Sequence, residues 1–507
     1  MTYSPKLSSA FNDTFLRSRH ISAQSGMCSF CTEECDGTCE VALAAVLGAR
    51  TVYPTNTGNN QVASEKIYPV DFSHFNINGR VFGAVGCAEN YEEANIYHVQ
   101  LGRTYGRFND VKLALPVILP ALIKLNWQDY FGGAAMAGVS AVIGENARDK
   151  DPNLKIENGK ITEFAGLKPM LDAFRRYDRG YGQIVLQCNV EDDLLGLPEY
   201  AIREHGVEAI EFKFGQSAKG TQPARRLKNR QEALDKIKLG FLVFPNPNAE
   251  HIVQADEEGI CPNFYLYERL PLWDEDYLIP RLAHLRELGL KNVYLKMAGY
   301  DRRDLERVIR LGSTAEVDMI TFDGAGGGSG YSPNKMMNEW SLPTIMLQAA
   351  VCNIVEKLRE QGLWVPAVTM TGGFSSEDQV FKSLAYGGNT VTAVGLCRAA
   401  MTAAMMGKKI GKQVERGSVP RHLRTYGNTI EELYGDLPDL RALYGKEAND
   451  FSLGAVGVFS YLNKIAFGIK HFAALNRKFD LAYLDRSDLI PLTAAARELL
   501  QGRSLEK

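Results

Sequence analysis

The stretch AVTMTGGFSSEDQVFKSLAYGGNTVTAVGLCRAAM, residues 367–401, contains two short apolar runs on either side of a helical pattern. The first run ends at a glycine pair, and the second ends where another helical pattern begins. Between them, SEDQVFKSLAYG has apolar residues at helical spacing and ends in glycine, which commonly terminates a helix. Strand, helix and strand in this order form the repeating unit of a parallel sheet. This stretch therefore predicts an α/β fold.

The same unit recurs along the chain from about residue 110. Its apolar runs are continuous rather than alternating, as expected for strands that are buried on both faces. Eight such strands, each followed by a helix, predict a TIM (β/α)8 barrel. The predicted strands are Leu113–Leu119, Ala141–Glu145, Gln183–Cys188, Ala209–Phe214, Asn292–Met297, Asp318–Phe322, Ala367–Thr371 and Thr390–Gly395.

The barrel pattern divides the chain into three predicted parts. An N-terminal extension covers residues 1–110, the barrel covers 111–405 with insertions at 148–182 and 220–290, and a helical extension covers 406–507. Long insertions in a barrel usually shape the mouth of the active site. The segment FSLGAVGVFSYLNKIAFGIKHFAALNRKF (451–479) is an apolar helical pattern interrupted by polar residues. We expect it to pack on the barrel or on another subunit, which makes a homo-oligomer the expected state.

The composition excludes some classes of function. The 507 residues carry 57 basic and 60 acidic side chains, so the formal net charge is −3. Without a basic excess, a nucleic-acid or anionic-membrane partner is not expected. The sequence shows no stretch of about 18 uncharged apolar residues and no apolar signal core, which predicts a cytoplasmic protein without a membrane partner.

Four of the nine cysteines fall within CSFCTEECDGTC, at Cys28, Cys31, Cys35 and Cys39. Structural zinc sites usually draw their cysteines from two separated places, whereas an iron-sulfur cluster accepts four thiolates from one compact segment. The spacing matches no strict ferredoxin signature, so compactness is what favours a [4Fe-4S] cluster. Zinc and free thiols are the alternatives.

Polar residues interrupt the apolar runs where strands end. Lys213 ends the fourth predicted strand, Lys296 lies near the end of the fifth, and Asp323 follows the sixth. The carboxyl ends of barrel strands converge on one mouth, where the chemistry of TIM barrels is carried out. A lysine buried there needs an anionic partner, so these lysines indicate an acidic ligand. The alternative is that they emerge into solvent.

Three glycine-rich loops follow the last three predicted strands: DGAGGGSGYSP (323–333), TGGF (371–374) and VGLCR (394–398). Glycine allows the backbone to approach a ligand closely and its N–H groups to converge on an anion. Loops after strands seven and eight, together with a helix N-terminus, form the recurrent phosphate site of such barrels. The alternative is that the glycines only make tight turns.

Three segments resemble the FMN-binding barrel of the glutamate synthase large subunit, in its stand-alone or archaeal-type form. They are IEFKFGQSAKGTQ (210–222), ITFDGAGGGSGYSP (320–333) and TGGFSSEDQVFKSLAYGGNTVTAVGLCRAAM (371–401). The resemblance implies bound FMN and hydride transfer between the flavin and a small, carboxylate-bearing amino or oxo acid. The residues that it implies for FMN binding are Lys213, Asp323, Gly326, Gly327, Gly328, Gly372, Gly373, Gly395 and Leu396. Those that it implies for catalysis are Lys213, Gln216, Lys219 and Lys296.

The chain also departs from this family. Where the family carries a cysteine-rich cluster loop after the eighth strand, this chain has only Cys397. We expect the N-terminal cysteine segment to hold a replacement [4Fe-4S] cluster that exchanges electrons with FMN and with a ferredoxin or a reductase subunit. The first and fourth barrel loops also differ from the family pattern. Two alternatives therefore stand: an unrelated substrate with the same cofactors, or a non-catalytic electron-transfer or scaffold subunit with structural zinc.

Overall fold

The structure is a computed structural model of the full chain. It describes residues 15–16, 66–108, 110–123, 126–215, 225–260, 262–325, 327, 340–445 and 450–502. The cysteine segment at 28–39 lies outside these described residues.

Eight parallel strands close into a barrel, which confirms the predicted fold class. Numbered β1 to β8 in chain order, they are Val117–Leu122, Ser140–Ile143, Ile184–Cys188, Ala209–Lys213, Asn292–Ala298, Met319–Asp323, Ala367–Thr371 and Val391–Gly395. The ladder closes where Val394 and Gly395 of β8 pair with Val117 and Ile118 of β1.

The prediction that the first barrel strand begins at Leu113 is wrong. Leu113 instead ends a short strand that pairs antiparallel with Arg103–Tyr105. Pro116 separates the two strands, because it has no N–H group to continue a ladder through this point. The second barrel strand also ends at Ile143, so Glu145 lies in the loop beyond it.

A helix follows each barrel strand before the next one begins, and further described helices precede it after β3 and β4. Numbered α1 to α8, these barrel helices are Trp127–Ala137, Leu167–Arg175, Leu197–His205, Glu275–Glu287, Arg302–Thr314, Thr344–Glu360, Glu377–Gly387 and Arg398–Glu415. The local sequence fixes their ends. Ser376 and Gln379 form a capping box at the start of α7, and Gly138 ends α1 in the left-handed conformation.

The end of the barrel opposite the mouth is closed by the hairpin of Arg103–Tyr105 and Val111–Leu113. The buried Tyr105 hydroxyl lies 3.1 Å from that of Tyr294, and the Tyr294 hydroxyl donates to Gln183 at 2.5 Å. This hairpin spans the predicted boundary at residue 110, and the domain boundaries remain predictions. Because this end is filled, a ligand has to approach from the opposite end, where the strands point.

The segment between β4 and α4 contains a three-stranded antiparallel sheet of Arg225–Leu227, Leu242–Phe244 and Phe264–Tyr267. Helices Arg230–Lys238 and Glu250–Glu257 pack on it. Its apolar side chains form a small core of their own, separate from the main core between barrel and helices. We call residues 225–268 the insertion module.

A long helix, α9, spans Leu453–Leu475 and packs against α1 and α8. Glycines allow this contact: a Cβ on Gly457 would lie 2.6 Å from the carbonyl oxygen of Ala403 and 3.2 Å from the Cα of Gly407. The apolar pattern of α9 is thus satisfied by packing on the barrel. None of the described helices is long and apolar enough to cross a membrane.

The remaining elements complete the shell around the barrel. Leu489–Pro491 pairs with Phe75–Ile77, and Phe15–Leu16 pairs with Lys66–Ile67. The other elements are the hairpin Lys155–Glu157 and Lys160–Glu163, α-helices Val190–Leu194, Ile430–Leu433, Leu437–Tyr444 and Ala494–Leu500, and short 3-10 turns at Phe72–His74, Ile96–His98, Ala147–Lys150, Arg421–Leu423, Leu481–Tyr483 and Arg486–Asp488.

Candidate active site

The two strand-end lysines are neighbours at the barrel mouth. Lys213 of β4 and Lys296 of β5 are partners in the parallel register, and their exposed fractions are only 5% and 3%. The alternative that these lysines emerge into solvent is therefore wrong.

Lys213 forms an ion pair with Glu145. Its Nζ donates to Glu145 Oε1 at 2.7 Å, and the two side chains are 4% and 12% exposed. Glu145 stands just beyond β2, so the pair crosses the mouth between non-adjacent strands. An ammonium and a carboxylate buried this far are stable only together, because either charge alone would lose its hydration without compensation.

Lys296 forms a second pair, with Asp323 at the end of β6. The distance from Nζ to Oδ2 is 3.4 Å, and both side chains are 4% exposed. Burial alone would lower the pKa of Lys296, but nearby carboxylates, Asp323 above all, raise it above its ordinary value. Lys296 therefore stays positively charged in the closed interior.

Glu211 is a third acidic group in this place, and the sequence analysis did not single it out. It lies two residues before Lys213 on β4, so both side chains face the barrel interior. Gln187 of β3 contacts its Oε1 at 2.5 Å, and Thr321 of β6 lies 3.5 Å from its Oε2. Burial raises the pKa of Glu211 even though Lys296 and Lys213 oppose this effect. A charged residue inside an apolar strand run was the sequence signal that could have revealed it.

The loops after β6 and β7 are held together at their glycines. Gly324 donates to the carbonyl oxygen of Thr371 at 2.9 Å, and the Thr344 hydroxyl donates to that of Gly372 at 2.7 Å. Gly372 and Gly373 have φ angles of +116° and +86°, which side chains rarely adopt. A Cβ on Gly373 would have no neighbour within 4 Å, so the backbone there borders open space.

Two other predicted FMN contacts, Gly395 and Leu396, are engaged in packing and hydrogen bonding within the barrel. A Cβ on Gly395 would come within 2.7 Å of Pro120 and Thr371, so this glycine permits close packing of β8 against β1 and β7. Leu396 is fully buried, and its N–H donates to the carbonyl oxygen of Ile118 at 3.0 Å. The N–H group of Leu396 is therefore already hydrogen-bonded within the barrel.

Helix α8 begins beside the same loops. Cys397 occupies its N-cap position, and the thiol does not cap the first turn with a hydrogen bond. Burial raises the pKa of the Cys397 thiol, which approaches the buried Tyr130 and the charge of Lys296. Cys397 therefore does not neutralise the partial positive charge that a helix N-terminus carries, and this end of α8 lies on the mouth side.

The other predicted site residues are only partly described. Gly327 is described, and it has no room for a side chain because a Cβ would overlap the Asp323 carboxylate. Gln216, Lys219, Gly326 and Gly328 lie outside the described residues, as do the four clustered cysteines. Within the described part of the chain, no group of three His, Cys, Asp or Glu side chains could hold a metal ion.

A buried polar network joins the insertion module to the mouth. Asn146, next to Glu145, has φ +59° and donates from Nδ2 to Glu268 at 2.8 Å. Its Oδ1 accepts from Arg148 at 3.0 Å, and Arg148 is fully buried in an ion pair with Asp192. The guanidinium also lies over the ring of Phe241 in the module, 4.9 Å from its centroid. These contacts fix the backbone that carries Glu145, and no pattern along the chain indicated them.

Among the described residues, the mouth has the ammonium groups of Lys213 and Lys296, the carboxylates of Glu145 and Asp323 that pair with them, and the carboxyl group of Glu211 below. Next to these lie open glycine loops and a helix N-terminus. A carboxylate of a ligand can take the place of Glu145 or Asp323 beside a lysine, so these groups can bind an anion. The sequence of the second half of the barrel also matches a known family.

Residues 273–408 match the conserved region in glutamate synthase. The glutamate synthase region covers about a quarter of the chain, from α4 through the first part of α8. It includes Lys296, Asp323 and the loops after β6, β7 and β8. This confirms the resemblance for that part of the barrel. No curated protein matches the chain.

Solved structures similar to the chain include (S)-mandelate dehydrogenases. A point mutant of an active chimera of this enzyme is 13% identical, with a TM-score of 0.43 over 83% of this chain and 88% of that one. A soluble mutant of the membrane-associated (S)-mandelate dehydrogenase from Pseudomonas putida is 14% identical, with the same TM-score and coverage.

Proposed function

We propose that this chain is an FMN- and iron-sulfur-dependent oxidoreductase, similar to glutamate synthase, that acts on a small amino or oxo acid. The observation that carries the proposal is the pair of buried lysines, Lys213 and Lys296, at the mouth of a barrel with glycine loops beside it. The glutamate synthase region that contains Lys296 supports the same conclusion.

The residues present fit the phosphate of FMN. Gly373 borders open space, Gly372 has a left-handed backbone, and the α8 N-terminus has no side-chain cap from Cys397. Backbone N–H groups and a helix N-terminus in this arrangement bind phosphate without a cationic side chain. Leu396 does not contribute its N–H, since that group already donates to Ile118.

The two lysines fit the polar parts of the flavin ring and the substrate. When bound, FMN would supply hydride transfer at its N5 atom. Lys213 would place a positive charge beside the ring edge and stabilise negative charge there. Lys296 would bind and orient a substrate carboxylate, with Asp323 holding the ammonium in place until the ligand arrives.

The cysteine segment supplies the proposed route for electrons. Cys28, Cys31, Cys35 and Cys39 would hold a [4Fe-4S] cluster that passes electrons singly between FMN and a ferredoxin or a reductase subunit. FMN can exchange one or two electrons, so it can couple such a cluster to a two-electron reaction.

An absorption spectrum of anaerobically purified protein tests the cofactors. We expect flavin peaks together with a broad iron-sulfur shoulder, and iron in the metal analysis. A colourless protein that contains zinc would instead favour the non-catalytic scaffold alternative and would remove the proposal.

The insertion module favours a second candidate, in which the same cofactors act on an unrelated substrate. The module reaches the mouth through Glu268 and Asn146, and barrels change substrate by changing such loops. To separate the two, dithionite-reduced protein is mixed with 2-oxoglutarate plus glutamine or ammonia, and flavin reoxidation is followed. Reoxidation supports glutamate synthesis, whereas its absence in a protein that other oxidants reoxidise supports the second candidate.

A further inference from the structure

Glu211 has a position that the proposed chemistry leaves unused. It is 3% exposed, lies inside the barrel below Lys213 and Lys296, and has no salt-bridge partner within 4 Å among the described residues. The nearer carboxylates, Glu145 and Asp323, hold the two ammonium groups. Glu211 is therefore an additional acidic group beneath the two ion pairs.

The hydrogen bonds around Glu211 suit a protonated carboxyl group. Its Oε1 lies 2.5 Å from the side-chain amide of Gln187, a separation typical of an O–H···O bond and short for N–H···O. Rotation of the amide by half a turn places the Gln187 carbonyl oxygen at this contact, and a carboxylic acid supplies the hydrogen. On its other side, Oε2 faces the Thr321 hydroxyl at 3.5 Å, which can donate or accept.

The surrounding groups on every adjacent strand explain why protonation is favoured. Gln187 on β3 and Thr321 on β6 are neutral, Lys213 and Lys296 are already paired, and Glu145 beyond β2 adds a like charge. Burial raises the pKa of Glu211 above its ordinary value, and the charge of Glu145 acts in the same direction. The charges of Lys296 and Lys213 and the hydrogen bond with Gln187 oppose this effect without outweighing it. Ionisation would place a negative charge that has no ion-pair partner among the described residues in a region that water barely reaches.

We propose that Glu211 is held as a neutral carboxylic acid beneath the two lysines, so that the barrel mouth remains receptive to an anionic group. Glu211 is then a positioning residue, since it acts through Lys213 and Lys296. If it ionised, it would add a negative charge beneath the two lysines and weaken the binding of a carboxylate. The part of this inference that concerns substrate binding rests on the proposed function, and the protonation itself does not.

Infrared spectroscopy of the purified holoprotein tests the protonation. Three proteins are compared at neutral pH in H2O and D2O: wild type, Glu211→Gln, and Glu208→Gln as a matched control. Glu208 directly precedes the same strand, at the opposite end, and its side chain is 54% exposed in a pair with Lys291. We expect a protonated-carboxyl stretch that shifts in D2O in the wild type and in Glu208→Gln, and that is absent in Glu211→Gln. Identical spectra for wild type and Glu211→Gln would overturn the proposal.

The pH dependence of ligand binding tests the role of the neutral charge. The affinity for 2-oxoglutarate is measured from the change in flavin absorbance between neutral and alkaline pH. We expect wild-type affinity to fall as Glu211 ionises, on the order of tenfold or more for a unit negative charge close to the ligand at an effective dielectric constant of about 20. Glu211→Gln should lack this fall, because its side chain stays neutral over the whole pH range.

The possible outcomes distinguish the role in anion binding from the protonation. Equal pH dependence in wild type and Glu211→Gln would overturn the role in anion binding, because a purely structural residue changes affinity by the same factor at each pH. If neither protein binds 2-oxoglutarate while the infrared band is present, the proposed substrate class fails and the protonated Glu211 is supported.

Discussion

Breaking the buried pair between Lys213 and Glu145 gives a quantitative test of the site. In Lys213→Met the carboxylate of Glu145 loses the ammonium 2.7 Å away, while 12% of its own side chain is exposed. Removal of one partner from a buried ion pair typically destabilises a protein by about 3–5 kcal/mol. Because Glu145 keeps some contact with water, we expect a loss of about 3 kcal/mol.

The second half of the test is the double variant Lys213→Met/Glu145→Gln. It removes both charges, and well-packed neutral replacements of buried pairs are often close to neutral in free energy. We therefore expect the double variant to be more stable than Lys213→Met, with a coupling free energy of about 2 kcal/mol or more in the cycle. The loss in Lys213→Met should also shrink in acid, where Glu145 can take up a proton.

Urea unfolding followed by fluorescence measures these differences, with Lys291→Met as the control. Lys291 pairs with Glu208 at 2.7 Å but is 61% exposed at the opposite end of the barrel, so its loss should cost less than about 1 kcal/mol. If Lys213→Met and Lys291→Met lose the same free energy of unfolding, the buried pair stabilises the protein no more than an exposed one. The same conclusion follows if the effects of the two single substitutions on this free energy simply add up in the double variant. Lys213→Met should also retain FMN while losing turnover, and normal turnover would show that Lys213 is not at the reacting centre.

The remaining predictions concern α9 and the cysteine segment. Gly457→Val should destabilise the protein by about 1–3 kcal/mol, because the added Cβ would meet the Ala403 carbonyl oxygen at 2.6 Å. The control is Leu475→Val, at the end of α9, where the side chain is 61% exposed. This control should have little effect on the midpoint of thermal unfolding. Unchanged stability of Gly457→Val would show that α9 does not depend on close contact with α8. Cys35→Ser should lower the iron content while barrel unfolding stays the same, and Cys87→Ser, outside the segment, should keep its iron. Full iron in Cys35→Ser would refute the cluster assignment.

Most of the barrel was predictable because its signals are local. Continuous apolar runs mark the strands, and the ends of the helices depend on nearby residues such as Ser376 and Gly138. The misplaced start of the first strand has a local explanation as well, since Pro116 stands in the middle of the predicted run. The hairpin that fills the far end was not predicted, because its pairing depends on the closed barrel above it.

The site was predictable only in part. The sequence indicated Lys213, Lys296 and Asp323 because charged residues at the ends of apolar strands are unusual. It did not indicate Glu145 or Glu211, since their importance depends on which groups face them across the mouth. The expected FMN contact of Leu396 came from the resemblance to the glutamate synthase barrel, and the sequence does not show that its N–H already donates to Ile118.

The sequence by itself determined the α/β barrel, the positions of the glycine loops and the types of residue at the strand ends. Periodicity and glycine conformation are properties of a few neighbouring residues, so they can be read along the chain. Only the tertiary structure decided that Lys213 meets Glu145, 68 residues earlier, and that Lys296 meets Asp323. Charge balance and burial decide whether these groups are ionised, and both arise only when strands that are distant in sequence converge on one mouth.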